Sequence, residues 1–131
     1  MALTYLDTSA SAKLIAVEAE SAALADYLRA SPDAEAVTSV VGIVELLRVG
    51  ARLGPAQRLR AVDLAARLGT IALTESIARA AADAAPANLR TLDAIHVASA
   101  VVAGAESVVS YDARLSEAAV AAGLRVVAPG T

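Results

Sequence analysis

Two rhythms of apolar and polar positions run along this chain. Short unbroken apolar runs, bounded by hydroxyl, glycine or proline residues, predict buried strands at 3–6, 36–38, 70–73, 107–109 and 124–127. Between them apolar residues recur three and four apart. That spacing predicts helices over 9–17, 21–30, 40–53, 56–68, 75–85, 92–103 and 113–122. Thr8 and Ser21 stand where helix N-caps are expected, and Gly54-Pro55, Gly69, Pro86, Gly104 and Gly123 stand where helices stop. Strands alternating with helices imply a parallel sheet covered on both faces, which suits strands that lack a polar side. There is no internal repeat, linker or low-complexity tract, so 1–131 reads as a single domain.

Against this pattern, four acids fall in unusual places. Asp7 ends the first strand in YLDTSA, and Asp112 follows the fourth in VVSYDARL. In open α/β sheets ligands bind beyond the carboxyl ends of the strands, where two such acids can meet. Each also precedes a helix, where Asp serves as a cap. Glu45 is the one acid in VVGIVELLRVG, with apolar residues at 41, 44, 46 and 49. A carboxylate among such neighbours is costly unless paired. Its simplest partner is Arg48, one turn on. Asp93 opens the apolar run LDAIHVASA, where a charge favours the positive end of the helix by ~0.3–1 kcal/mol. Four carboxylates gathered at one sheet edge would repel one another, and a divalent cation would turn that repulsion into binding. The hydroxyls of Thr8, Ser9 and Ser110 lie beside the strand-end acids and suit either turn chemistry or support of the carboxylates.

Composition narrows the chemistry. The 131 residues are 57% hydrophobic with three Tyr and no Phe or Trp, so the core is aliphatic. The absence of Cys excludes disulfides and thiolate catalysis, and a single His excludes a multi-histidine metal site. An ion here is held by oxygen, which favours Mg2+ or Mn2+ over Zn2+. Such an ion lowers the pKa of a bound water and stabilises charge on a phosphoryl oxygen. A net charge of −3 argues against a basic coat, although Arg48, Arg52, Arg58, Arg60 and Arg67 cluster, and Arg90 and Arg114 lie near the acids in sequence. The scarcity of aromatics argues against recognition by base stacking. No apolar run is long enough to span a membrane, and the N-terminus lacks a signal-peptide pattern, so a soluble cytoplasmic protein is expected.

YLDTSA, VVGIVELLR, TLDAIHVASA and SYDARLSEAAVAAGL, in this order, resemble the PIN-domain ribonucleases, most closely the VapC toxins of bacterial toxin–antitoxin pairs. The resemblance covers residues 3–129. It implies a three-layer α/β/α sandwich around a mainly parallel sheet. It implies an acidic quartet, Asp7, Glu45, Asp93 and Asp112, that binds Mg2+ or Mn2+ and hydrolyses RNA phosphodiester bonds. Structured RNA, transfer RNA above all, is the substrate it favours. It also implies a homodimer and an antitoxin that covers the acidic groove. The hydroxyl before the last acid, often Thr in the family, is here Ser110.

Three other readings compete. A haloacid-dehalogenase-like phosphotransferase expects a second acid two residues after the strand-end Asp, where this chain has Ser9. A receiver domain expects a lysine after the last strand, but Lys13 is the only lysine. A PIN-like module that binds without catalysis would have no need of all four acids. His96, one turn after Asp93, reads as a packed, hydrogen-bonded residue rather than a general acid. Arg48, Arg52, Arg90 and Arg114 are candidates for RNA or antitoxin contact, whereas Arg58, Arg60 and Arg67 read as a solvated face.

Overall fold

The computed structural model describes residues 2–131. Five strands, β1 (Ala2–Leu6), β2 (Ala34–Ser39), β3 (Gly69–Ile71), β4 (Ser107–Val109) and β5 (Arg125–Val127), form one parallel sheet in the order β3-β2-β1-β4-β5. β1 lies at the centre, with Tyr5 in register with Val37 of β2 and Val108 of β4. The chain winds outward from β1 through β2 to β3, then returns to the other side of β1 for β4. The reversal opens a crevice at the carboxyl ends of β1 and β4, the usual place for a ligand in such sheets.

Helices cover both faces. They are α1 (Thr8–Ser11), α2 (Ser21–Arg29), α3 (Val40–Leu53), α4 (Pro55–Arg67), α5 (Glu75–Ala82), α6 (Thr91–Ala103) and α7 (Ala113–Ala121). One core layer joins Leu6 and Val109 to Ile15, Leu24, Leu46 and Leu64, from the side of α2, α3 and α4. The other joins Tyr5, Val37 and Val108 to Val97, Ala100, Leu115 and Ala119, from the side of α6 and α7. Adjacent residues of β1 thus serve opposite layers, as strand geometry requires. Among the described residues no helix is long and apolar enough to cross a membrane.

The α/β/α sandwich agrees with the sequence expectation, with local differences. The helix expected over 9–17 is reduced to α1 and a 3-10 turn, Ala12–Leu14. Ser21 ends it: its hydroxyl donates to the Ala16 carbonyl at 3.1 Å and accepts from the Glu18 amide at 2.9 Å, folding the chain back. Ser21 therefore does not cap α2; the cap position is Glu20, which makes no side-chain capping bond. Thr8 is not a cap either, because Asp7 takes that position for α1. β2 begins two residues before the expected apolar run, since pairing of Ala34 and Glu35 with β1 extends it. β3 stops at Ile71, and the chain leaves toward Thr74, which caps α5 by accepting from the Ile77 amide at 3.2 Å.

α3 and α4 form an antiparallel pair turned at Gly54, whose φ of 138° favours glycine. Close approach is set at Gly50, where an added Cβ would stand 2.6 Å from the Ala61 Cβ and 3.0 Å from the Gln57 carbonyl oxygen. Ala61 is fully buried, so neither helix yields without moving the core. Gly50→Ala is expected to cost about 1–3 kcal/mol of stability by overpacking, read as a lower urea midpoint. An unchanged midpoint would show that the two helices separate freely.

Candidate functional site

The site begins where β1 ends. Asp7 is 2% exposed. Its Oδ1 accepts from the Ser9 hydroxyl at 2.6 Å and the Ala10 amide at 2.9 Å, and its Oδ2 accepts from the Ser110 hydroxyl at 2.5 Å. Those donors come from α1, directly after β1, and from the loop after β4, the two edges of the crevice. Ser9 Oγ also accepts from the Tyr111 amide at 2.9 Å, and Ser110 Oγ from the Asp112 amide at 3.1 Å, so the two segments are locked together. Burial pushes the Asp7 carboxyl above its ordinary value, and the bonds from Ser110, Ser9 and Ala10 recover only part of that. Three donors meet a carboxylate with about four acceptor sites.

Glu45 projects from the middle of α3. Its Oε1 accepts from the Thr8 hydroxyl at 2.7 Å and meets His96 Nε2 at 2.6 Å. Burial would raise its pKa, but the bonds from His96 and Thr8 outweigh burial and hold the carboxyl below its ordinary value. Among the described residues the pair expected with Arg48 does not form; Thr8 and His96 take its place. His96 itself is 2% exposed, and its Nδ1 lies 2.6 Å from the Tyr5 hydroxyl. Burial pushes Tyr5 up to about 12, so this hydroxyl keeps its proton at working pH.

Asp93 is the third residue of α6 and is partly buried. Burial raises its pKa first, then the charge of Asp112; His96 and Arg90 oppose the rise, and Glu45 adds to it. Asp112 caps α7, accepting from the Leu115 amide at 3.0 Å, and is exposed. Capping and membership of the acidic group are thus compatible for Asp7 and Asp112 alike. The arrangement brings Glu45, Asp93 and Asp112 into electrostatic range. Asp7 is linked to them through neighbouring residues: Thr8, which bonds Glu45, and Ser110, which accepts from the Asp112 amide.

Two open grooves are lined by acids of this group. One, of about 510 Å³, is lined by Arg90, Asp93, Arg114 and Glu117 among others. The other, of about 450 Å³, is lined by Thr8, Val44, Glu45, Arg48, Arg52 and Leu92 among others. All four arginines singled out in the sequence therefore flank the acids. Arg67 is instead paired with Asp63 on the exposed face of α4, at 3.0 Å. Among the described residues no three Asp, Glu or His side chains stand close enough to enclose an ion by themselves. The donor set still suits Mg2+ or Mn2+. It is all oxygen, and the charges on Asp112 and Glu45 already raise the affinity of Asp93 for a positive charge. Mg2+ binds through one or two carboxylates and keeps several waters.

Sequence reading missed two things here. Tyr5 belonged to no candidate set, although a buried Tyr needs a partner for its hydroxyl. Thr8 was grouped with the strand-end acids, yet it serves Glu45, 37 residues away.

A crevice of acids at the switch point of a β3-β2-β1-β4-β5 parallel sheet, covered by helices on both faces, defines a class of α/β/α domain that comparison with known proteins identifies. The sequence profile described as PIN domain matches residues 4–121. Ribonuclease VapC35 of Mycobacterium tuberculosis is 42% identical over 132 residues, covering 98% of each chain. Among solved structures, VapC20 of M. tuberculosis, a sarcin-ricin loop cleaving toxin, aligns with a TM-score of 0.74 at 20% identity, covering 96% of this chain and 99% of that one. VapBC-5 of M. tuberculosis, from the VapBC family of toxin-antitoxin systems, aligns at 0.67 and 24% identity, covering 98% and 99%. The chain belongs to the PIN domain family, in its VapC branch. The phosphotransferase and receiver readings fall with that assignment.

Asp93→Asn separates two roles of this carboxylate in metal-free protein. Removing repulsion from Asp112 and Glu45 raises the melting temperature, whereas losing the helix-end interaction, worth ~0.3–1 kcal/mol of stability, lowers it. The expected result is a rise in melting temperature together with loss of Mn2+ stabilisation. A fall with and without Mn2+ would reduce Asp93 to a helix-end charge.

Proposed function

We propose that this protein is a Mg2+- or Mn2+-dependent endoribonuclease and the toxin of a toxin–antitoxin pair. What carries the reading is that Asp112 and Glu45 act electrostatically on Asp93, that Asp7 is tied to Glu45 through Thr8 and to Asp112 through Ser110, and that arginine-lined grooves adjoin Glu45 and Asp93. Support comes from relatives named ribonucleases at 42% identity over the whole chain.

In this reading Asp7, Glu45, Asp93 and Asp112 hold the ion, some directly and some through water. When bound, the ion supplies a water of lowered pKa and stabilises charge on the phosphoryl oxygens. The rest falls to the chain. Ser9, Ser110 and the Ala10 amide fix Asp7 and favour its ionised form against its burial. Thr8 fixes Glu45. Arg48 and Arg52 on one side, and Arg90 and Arg114 on the other, bind phosphates of a strand laid across the acids. Tyr5 is fully buried, and Tyr111 spends its hydroxyl on the Pro129 carbonyl at 2.8 Å. Recognition by shape and backbone follows, which favours a structured RNA such as transfer RNA.

The groove beside Glu45 has exposed Val40, Val44 and Leu92 on its walls, next to Arg48 and Arg52. An antitoxin segment with apolar residues and a charge of either sign suits it, and the likeness to VapBC-5, from a family of toxin-antitoxin systems, supports an antitoxin partner. We propose a homodimer for the working toxin, in keeping with the family resemblance.

Purified protein free of antitoxin, incubated with total cellular RNA and Mn2+ or Mg2+, is expected to give discrete cleavage. EDTA should abolish it. Asp7→Asn and Glu45→Gln should lower it by more than the ~10–100-fold typical of a supporting residue, with the fold intact. Undiminished cleavage in EDTA would overturn the metal mechanism, and undiminished cleavage by either variant would remove that acid from the set. Folded protein that binds Mn2+ but cleaves no RNA would indicate a binding module.

A further inference from the structure

The chain of contacts behind Glu45 reaches through the whole domain. Tyr5 comes from the central strand, His96 from α6 on one face, Glu45 from α3 on the other, and Thr8 from α1. The links are 2.6 Å from Tyr5 to His96 Nδ1, 2.6 Å from His96 Nε2 to Glu45, and 2.7 Å from Thr8 to Glu45. Tyr5 is 0% and His96 2% exposed, so water does not replace either partner. The two rings also pack edge to face, with centroids 5.7 Å apart and planes at 75°.

We propose that His96, set by Tyr5, is a positioning residue that aims the Glu45 carboxylate at the ion site. The proposal rests on the metal-nuclease reading above and deepens it. An ionised carboxylate only accepts, so Nε2 carries a proton toward Glu45. The Tyr5 hydroxyl both donates and accepts, and therefore satisfies Nδ1 whichever state the ring is in. The Glu45 carboxylate thus selects the Nε2 proton, and Tyr5 anchors the ring so that this proton points at Glu45. Both donors to Glu45 fall on Oε1. That commits one oxygen to the protein and leaves Oε2 for a cation or its water. Partners of this kind, behind a ligand, tune metal affinity by about 10–100-fold. A histidine that merely fills the core would affect stability and leave metal affinity alone.

The test is Mn2+ binding by calorimetry on antitoxin-free protein, paired with cleavage kinetics. Tyr5→Phe removes one hydroxyl and keeps the ring packing. It is expected to weaken Mn2+ binding by about tenfold or more, and to raise the Mn2+ needed for half-maximal cleavage by the same factor. The KM for RNA at saturating Mn2+ should not move. His96→Leu should weaken binding further, and His96→Gln, whose amide can donate to Glu45, should recover much of it. If His96→Leu does not fold, Tyr5→Phe and His96→Gln carry the test. Wild-type Mn2+ affinity in Tyr5→Phe, alongside lost affinity in Glu45→Gln, would overturn the positioning role and leave the nuclease reading standing. Glu45→Gln that binds Mn2+ normally would overturn the positioning role and remove Glu45 from the set, and wild-type protein that binds no Mn2+ would overturn both readings.

Discussion

A buried carboxylate organises this molecule. Asp7 stands at the end of the central strand, almost without solvent, and a charge in that position is costly unless its lone pairs are met. Three short bonds meet them, from two segments that follow adjacent strands, α1 after β1 and the loop after β4. Because Ser9 and Ser110 in turn receive the amides of Tyr111 and Asp112, the position of Asp112 follows from that of Asp7. The two segments cannot part without stranding the charge. Burial nevertheless leaves the Asp7 carboxyl raised, so the protein alone does not fully satisfy it. A cation at the crevice would complete what the hydroxyls begin.

The sheet makes this arrangement possible. A parallel sheet delivers every strand's carboxyl end to the same edge, and the reversal between β2-side and β4-side winding leaves that edge uncovered at β1 and β4. Glu45 and Asp93 then reach the edge from opposite layers, one from the middle of α3 and the other from the first turn of α6. Electrostatics in the crevice are divided. Glu45 is held ionised by neutral and imidazole donors, while Asp93 is pushed toward its protonated form by burial and by two neighbouring acids. Cation binding would reverse the strain on Asp93 without disturbing Glu45.

Much of this was legible in the sequence, and the rest was hidden for physical reasons. Long periodic segments such as 40–53 and 92–103 form helices at or within one residue of the expected limits, since their apolar faces and glycine stops act locally. The segment 9–17 does not, because Ser21 takes the Ala16 carbonyl, a competition that periodicity does not display. The unusual placement of Glu45 in an apolar helix pointed to a need for partners. The partner nearest in sequence, Arg48, is not the one used. Thr8 and His96 lie 37 and 51 residues away, and only the packing of α1, α3 and α6 brings them in. His96 was read as packed and hydrogen-bonded, which the structure shows, but its bond to Glu45 was not foreseen. The acids themselves were legible from their placement at strand ends and in apolar helices, whereas the hydroxyls that tie Asp7 to its neighbours, Ser9 and Ser110, gain their partners only when β1 and β4 lie side by side.

The central claim is that these four acids make a single cation site. Paramagnetic Mn2+, added in small substoichiometric amounts to isotopically labelled protein, tests it most directly through the broadening of backbone amide resonances. The account predicts that signals around Asp7, Glu45, Asp93 and Asp112 fade together, ahead of those near other acids such as Glu18, Asp26 or Asp63. Broadening that spares the crevice, or that reaches one of the four segments without the others, would contradict it.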